Sequence, residues 1–196
     1  MKRYVSSSTS GQESEPYIKD INMEETKATS ARFLTFVSQS IAFETGGDKS
    51  GAYTNDPHDA GGETKWGISK RAHPQLNIKA LTYSQAIEIY KTQYWNDLYD
   101  YILSDMVAFK LFDMGILMGT KKATKYLQEC LSFTIAKDGN FGVMTLTAVN
   151  NTKTELLYDS YITTLEKHFR RIVLFKPTNR KYLTGWLRRL NWKWSI

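Results

Sequence analysis

The chain has 196 residues, 41% hydrophobic and 13% aromatic, which is enough to bury one core or one core with a small appended lobe. The formal net charge of +6 favours polyanionic partners. Nucleic acid is not expected among them, because the sequence has no RNP-type aromatic motif, no zinc spacing and no basic region leading into heptads. No apolar run approaches about 18 residues, so neither stable membrane insertion nor a usual secretory signal is expected.

Three regions follow from the composition along the chain. Residues 1–30 are polar and predict an N-terminal extension that is flexible or bound to a partner. Residues 31–119 and 120–196 carry long stretches with helical spacing, with a boundary near 119–121. The fold class predicted is mainly α, with a small irregular loop or hairpin after the first core helix.

The first core helix is predicted to end at Glu44. Ser30 is suited to cap its start, and apolar residues then recur three or four apart, at Phe33, Val37 and Ile41. Gly46 and Gly47 follow as a helix stop. The density of Gly, Asn, Asp and Pro over residues 47–66 predicts a loop or a short irregular hairpin there.

The later elements are predicted from helix-start signals. Thr82 with Gln85, and Thr152 with Glu155, have the spacing of capping boxes. The predicted helices run from Thr82 to about Asn96, from Ser104 through Met118, from Thr120 to about Ile135, and from Thr152 past Val173. A last element, basic and aromatic, spans residues 180–194.

Glu44 is the strongest candidate for acid–base chemistry. Hydrolysis of a glycan needs a carboxyl group that is still protonated near neutral pH. Glu44 follows Phe43 and lies near a predicted helix C-terminus, and both desolvation and the helix dipole favour the protonated form. Taken alone, an ordinary exposed glutamate at a helix end is the simpler interpretation.

The residues after Glu44 form a longer motif that can be compared with a known family. After Glu44 come Thr, Gly and Gly, and residues 53–69 then read Tyr-Thr-Asn-Asp-Pro-His-Asp-Ala-Gly-Gly-Glu-Thr-Lys-Trp-Gly-Ile-Ser. This resembles glycoside hydrolase family 108, with its E-G-G-Y segment and its N-D-P-x-D-x-G-G-x-T-x-x-G-I block. Thr45 interrupts the first motif, and the loop between Gly47 and Tyr53 is longer than in the family pattern.

The resemblance implies a lysozyme-like helical fold and hydrolysis of the linkage between N-acetylmuramic acid and N-acetylglucosamine. The essential glutamate of the family maps onto Glu44. Asp59 is the candidate for orienting the water, and its order with Thr64 is similar to the Glu, Asp, Thr arrangement of small phage lysozymes. Asp56 competes with Asp59 for this role, although a residue in an Asn-Asp-Pro turn often bonds only to its own backbone.

Two aromatic residues are candidates for contact with the substrate, and no metal or cofactor is predicted. Tyr53 and Trp66 could stack on sugar rings or could belong to the core, and Asp56 is a further candidate for substrate binding. The three histidines are scattered, at His58, His73 and His168, without a metal-binding spacing. Cys130, the only cysteine, excludes an intrachain disulfide and is expected to be a small buried residue.

The C-terminal half carries a second resemblance. Residues 137–149 are similar to the D-G-x-x-G-x-x-T segment of a peptidoglycan-binding region found after this catalytic block, and residues 185–189 to its closing G-W-x-x-R helix. Thr145 is expected to start a helix. The final cluster of Trp192, Lys193 and Trp194 could also bind anionic envelope surfaces.

Three functions remain open from the sequence. The first is a phage-type muramidase that acts on bacterial peptidoglycan. It would wait in the host cytoplasm for a holin, or be attached to the virion or to an envelope partner through residues 1–30. The second is a lytic transglycosylase, which forms an anhydro-sugar. The third is a non-catalytic wall-binding or virion structural module.

Overall fold

Seven α-helices and one short hairpin form the part of the chain that the computed structural model describes, which is residues 30–46, 51, 53–55 and 62–194. The elements are α1 (Ala31–Glu44), β1 (Thr64–Lys65), β2 (Ile68–Ser69), α2 (Tyr83–Tyr94), α3 (Asp105–Met118), α4 (Thr120–Glu129), α5 (Val143–Asn151), α6 (Thr154–Phe175) and α7 (Arg180–Asn191). Two 3₁₀ turns, Asp97–Tyr101 and Pro177–Asn179, connect helices. The predicted mainly α class, with a short hairpin after the first core helix, is confirmed.

Three predicted helix starts are confirmed by their capping bonds. The side chain of Ser30 accepts a hydrogen bond from the backbone N–H of Phe33, and Ser104 caps α3 in the same way. Thr82 and Gln85 form both bonds of a capping box at the start of α2. These caps satisfy backbone donors that the first turn of a helix leaves without partners.

Several predicted bounds in the C-terminal half are wrong. The helix that begins at Thr120 ends at Glu129 rather than near Ile135, and its N-cap is Gly119. The predicted capping box at Thr152 does not form, because α6 begins one residue later than that spacing requires, with Lys153 as its N-cap. Thr152 is instead the C-cap of α5, and its hydroxyl donates to the carbonyl of Ala148. The helix expected to start at Thr145 begins two residues earlier, as α5.

Helix α3 lies at the centre of the molecule and packs against α1, α2, α4 and α6. It is buried along most of its length, with apolar residues Val107, Ala108, Phe109, Leu111, Phe112 and Met114. Two charged residues, Lys110 and Asp113, are buried in the same helix. Buried charges require partners, and those partners define the site described below.

Several predictions fall outside the described residues. These are the N-terminal extension up to residue 29 and the site candidates Asp56 and Asp59, and Gly47 and His58 lie outside as well. Within the described part, no helix is both long enough and apolar enough to cross a bilayer.

Candidate active site

A tight hairpin turn follows α1 in sequence and packs against its end. Lys65 pairs with Ile68, and the two residues between them, Trp66 and Gly67, have φ angles of 54° and 78°. Positive φ at both central positions is the signature of a type I′ turn, which matches the twist of the flanking strands. The backbone of Thr54 pairs with Thr64 on the outer edge of the hairpin, so residues 53–55 belong to the same small structure.

Gly67 brings the hairpin turn into direct contact with Glu44. A Cβ atom at this position would lie 2.5 Å from the Tyr90 hydroxyl and 2.9 Å from the Glu44 Cβ. The Tyr90 hydroxyl, from α2, donates a hydrogen bond of 3.1 Å to the carbonyl of Trp66. Burial and the nearby Glu44 charge raise the pKa of Tyr90, so its hydroxyl stays protonated and remains a donor.

Glu44 is the last residue of α1, and its side chain is 29% exposed. Its Oε1 accepts a hydrogen bond from Nη1 of Arg189, which lies on α7 and is itself buried. The guanidinium of Arg189 also lies over the Phe43 ring, 5.5 Å from its centroid. The carboxyl group is therefore held on one side by an arginine and remains open on another.

Arg189 also binds Asp113 through another edge of its guanidinium group. Nε and Nη2 of the guanidinium donate to the two carboxylate oxygens, at 3.0 and 2.8 Å, and the Ser40 hydroxyl donates to Oδ1 at 2.9 Å. Burial disfavours the charge of Arg189, but the Asp113 and Glu44 carboxylates outweigh burial and raise its pKa. One guanidinium thus connects α1, α3 and α7 through bidentate and charge-assisted bonds.

Lys110 fixes the end of α7 that carries Arg189. Its Nζ donates to the carbonyls of Arg189, Leu190 and Trp192, at 3.0, 2.8 and 3.1 Å. The last carbonyls of a helix have no partner within the helix, and a cation there is favourable. Burial lowers the pKa of Lys110 to about 8, even though the Asp113 charge acts in the opposite direction.

The other candidates that the structure describes lie on the hairpin. The Thr64 hydroxyl donates to the carbonyl of Gly62 at 3.3 Å. Tyr53 is half-buried, and desolvation with the nearby Glu63 carboxylate raises its pKa. Trp66 is only 9% exposed, and its ring packs 5.0 Å from that of Tyr83. The roles assigned to Thr64, Tyr53 and Trp66 stay predictions.

Sequence reasoning missed Arg189 and Asp113 as site residues. The signal for Arg189 was present, because it is the closing arginine of the G-W-x-x-R pattern, but nothing in the pattern indicates where its side chain lies. Two aromatic neighbours of Arg189 are half-buried: Trp192 packs on Phe43 and Phe109, and Trp194 on Phe36 and Phe109. Binding of this cluster to anionic envelope surfaces stays a prediction. Among the described residues, no group of three or more His, Cys, Asp or Glu is placed to hold a metal ion.

Two family models and one solved structure are similar to this chain. The family model for glycosyl hydrolase 108 matches residues 45–119, and that for a predicted peptidoglycan domain matches residues 122–191. The solved structure of Brucella abortus SagA is similar in fold, with a TM-score of 0.64 and 24% identity, over 81% of this chain and 88% of that one. No curated protein matches the chain.

The fold and the two family matches define a glycoside hydrolase that degrades peptidoglycan, with a mainly α, lysozyme-like fold. Residues 45–119 are similar to the glycosyl hydrolase 108 family, and the predicted peptidoglycan domain of residues 122–191 follows them directly.

Proposed function

We propose that this enzyme hydrolyses the β-1,4 bond between N-acetylmuramic acid and N-acetylglucosamine, with Glu44 as the general acid. The observation that carries the proposal is the convergence of separate elements on one partly exposed carboxyl group. Helix α1 presents Glu44, the hairpin turn contacts it through Gly67, and α7 supplies Arg189. Such convergence is what positioning a catalytic group requires.

Arg189 lies where charge develops when Glu44 gives up its proton. As the proton moves from Glu44 to the glycosidic oxygen and the C–O bond breaks, the carboxylate forms beside the same guanidinium. Arg189 then stabilises the charge that develops in the transition state. Water adds to the sugar carbon, with Asp59 and Thr64 proposed to orient it.

The deciding experiment is digestion of purified peptidoglycan by wild type and by Glu44→Gln, with mass analysis of the fragments. We expect hydrated fragments with reducing muramic ends from wild type, and a rate at least about a hundredfold lower in the variant. Glu155→Gln is the matched control, since Glu155 is an exposed glutamate in the first turn of α6.

The other outcomes select the alternatives. Fragments lighter by one water, with anhydro ends, would make the enzyme a lytic transglycosylase. Equal digestion by wild type and Glu44→Gln would remove Glu44 from the mechanism. Binding of the wall without cleavage by wild type would leave a non-catalytic wall-binding or virion module.

We also propose a role in bacteriophage lysis, with synthesis in the host cytoplasm and passage to the wall through a holin. The resemblance of the Glu44 and hairpin motifs to the phage-type family supports this setting. Bacteria that express the chain should lyse only when a holin is co-expressed, and not with Glu44→Gln. Lysis without a holin would contradict holin dependence. Detection of the chain in purified virions would favour attachment through residues 1–30 instead.

A further inference from the structure

The positive charge of the chain is concentrated at its C-terminal end. Residues 167–196 contain nine lysines and arginines and no aspartate or glutamate, whereas the preceding 166 residues contain 17 lysines and arginines against 20 acidic residues. Eight of the nine cations are exposed, the exception being Arg189 in the active site. The net charge of +6 therefore arises entirely from residues 167–196.

Exposed apolar residues lie within this cationic region, where α6 turns into α7. Leu174 and Phe175, in the last turn of α6, are 75% and 73% exposed, and Tyr182, in the first turn of α7, is 49% exposed. The turn between the helices, Pro177–Asn179, is short, and Pro177 and Thr178 in it are exposed. We call Arg171, Leu174, Phe175, Lys176, Lys181 and Tyr182 the α6–α7 tip.

Cations accompany both aromatic rings of the α6–α7 tip. The guanidinium of Arg171 lies 5.4 Å from the centre of the Phe175 ring, and the Lys181 ammonium 5.0 Å from that of Tyr182. Aromatic rings with polar or charged neighbours are typical of side chains at the boundary between lipid headgroups and acyl chains.

The α6–α7 tip is supported from behind by stacked aromatic rings. Tyr182 stacks on Trp186 at 5.8 Å, and Trp186 stacks on the buried Phe169 at 5.4 Å. This stack connects the exposed end of the helical hairpin to its packed part. The apolar residues are thus presented on a supported surface.

We propose that the α6–α7 tip docks on the surface of a bilayer that contains anionic lipid. The cations complement the headgroup charge, and the exposed leucine and phenylalanine gain free energy when they enter the headgroup–acyl boundary. A soluble or wall-bound polyanion would be recognised by the cations alone, with no use for Leu174. The docking is peripheral, because neither helix is apolar enough to cross the bilayer.

The test is co-sedimentation of the full chain with vesicles of phosphatidylcholine, with or without phosphatidylglycerol. We expect binding at least about tenfold tighter to the anionic vesicles. Leu174→Ser combined with Phe175→Ser should weaken it about tenfold. The matched control is Phe133→Ser, since Phe133 is 97% exposed and also lies beside a lysine, Lys137, but is outside the tip.

The contribution of charge is tested separately. Lys176→Glu combined with Lys181→Glu should abolish most of the binding, whereas Lys122→Glu combined with Lys125→Glu, on exposed positions of α4, should reduce it far less. Far-UV circular dichroism checks that every variant is folded.

Three results would overturn the proposal. The first is equal binding to both vesicle types, and the second is an equal effect of the tip and control substitutions. The third is full retention of vesicle binding by the Leu174 and Phe175 variant together with displacement by purified peptidoglycan, which would assign the surface to the wall. None of these measurements depends on cleavage of glycan.

Discussion

The guanidinium of Arg189 contacts the carboxylate of Glu44 although 145 residues separate them in the sequence. Arg189 lies in the region matched by the peptidoglycan-binding model, and Glu44 ends the helix just before the hydrolase match. Because Asp113 binds the same guanidinium, the position of the proposed acid depends on a buried charge pair. The C-terminal region therefore contributes directly to the geometry of the candidate active site.

Replacing Arg189 tests this dependence. Arg189→Met should lower the free energy of unfolding by roughly 3–5 kcal/mol, because it leaves the fully buried Asp113 carboxylate without its partner. Arg189→Met combined with Asp113→Asn should recover part of that loss in urea unfolding, yet remain impaired in cleavage because Glu44 still lacks its arginine. Recovery of both stability and full activity by the double variant would contradict a role for Arg189 at Glu44.

Gly67→Ala should impair cleavage through the contact between the hairpin turn and Glu44. The new Cβ would collide with the Tyr90 hydroxyl and the Glu44 side chain, in addition to the cost of about 1 kcal/mol for a left-handed alanine. Gly62→Ala is the matched control, since Gly62 has a φ of 66° and open space around it. The rate of peptidoglycan digestion should fall much further in Gly67→Ala. Equal rates would show that the turn does not position Glu44.

Tyr90→Phe should lower kcat by loosening the turn. The variant loses the hydrogen bond to Trp66, at a cost of about 1 kcal/mol in stability. Tyr161→Phe loses a buried bond of similar length, to Ala123, at a position outside the candidate active site. Unfolding should reveal similar losses for both, whereas kinetics on soluble glycan fragments should distinguish them. Parallel activity of the two variants would assign Tyr90 to stability alone.

The lowered pKa of Lys110 predicts how the free energy of unfolding depends on pH. Burial lowers its pKa from 10.5 to about 8, so between these values the unfolded chain binds a proton that the folded chain does not. The contribution of Lys110 to the free energy of unfolding should therefore rise with pH from about 8 to 10.5 and stay level below 8. Denaturant unfolding of wild type and Lys110→Met across this range measures it. A difference between the two that does not change with pH would refute the lowered pKa.

Helix starts could be predicted from the sequence where the capping bond joins residues close together in the chain. The caps at Ser30, Thr82 and Ser104 are fixed by bonds within three residues, and each was predicted correctly. Thr152 has a glutamate at the same spacing, but it ends α5 as its C-cap, and Lys153 is the N-cap of α6. The spacing alone does not indicate which residue ends one helix and which begins the next.

The arrangement around Glu44 could be predicted only in part. The motif indicated the glutamate and the nearby loop, but a Trp-Gly pair does not resemble the usual Asn-Gly of a type I′ turn, so its geometry was not recognised. The pairing of Arg189 with Asp113 depends on how α3 and α7 pack, and no local pattern encodes it. The packing of Trp192 on Phe43 was likewise not predicted, because an aromatic residue in a basic tail has the same local sequence whether or not it packs on the core.

The contacts of Arg189 with Asp113 and Glu44 also limit how this enzyme can be recombined. One such recombination would join residues 1–119 of this chain to the C-terminal region of a relative. Here such an exchange would succeed only if the incoming C-terminal half carries an arginine that reaches both Asp113 and Glu44. A chimera without it would carry the proposed catalytic glutamate but would lack the arginine that holds it.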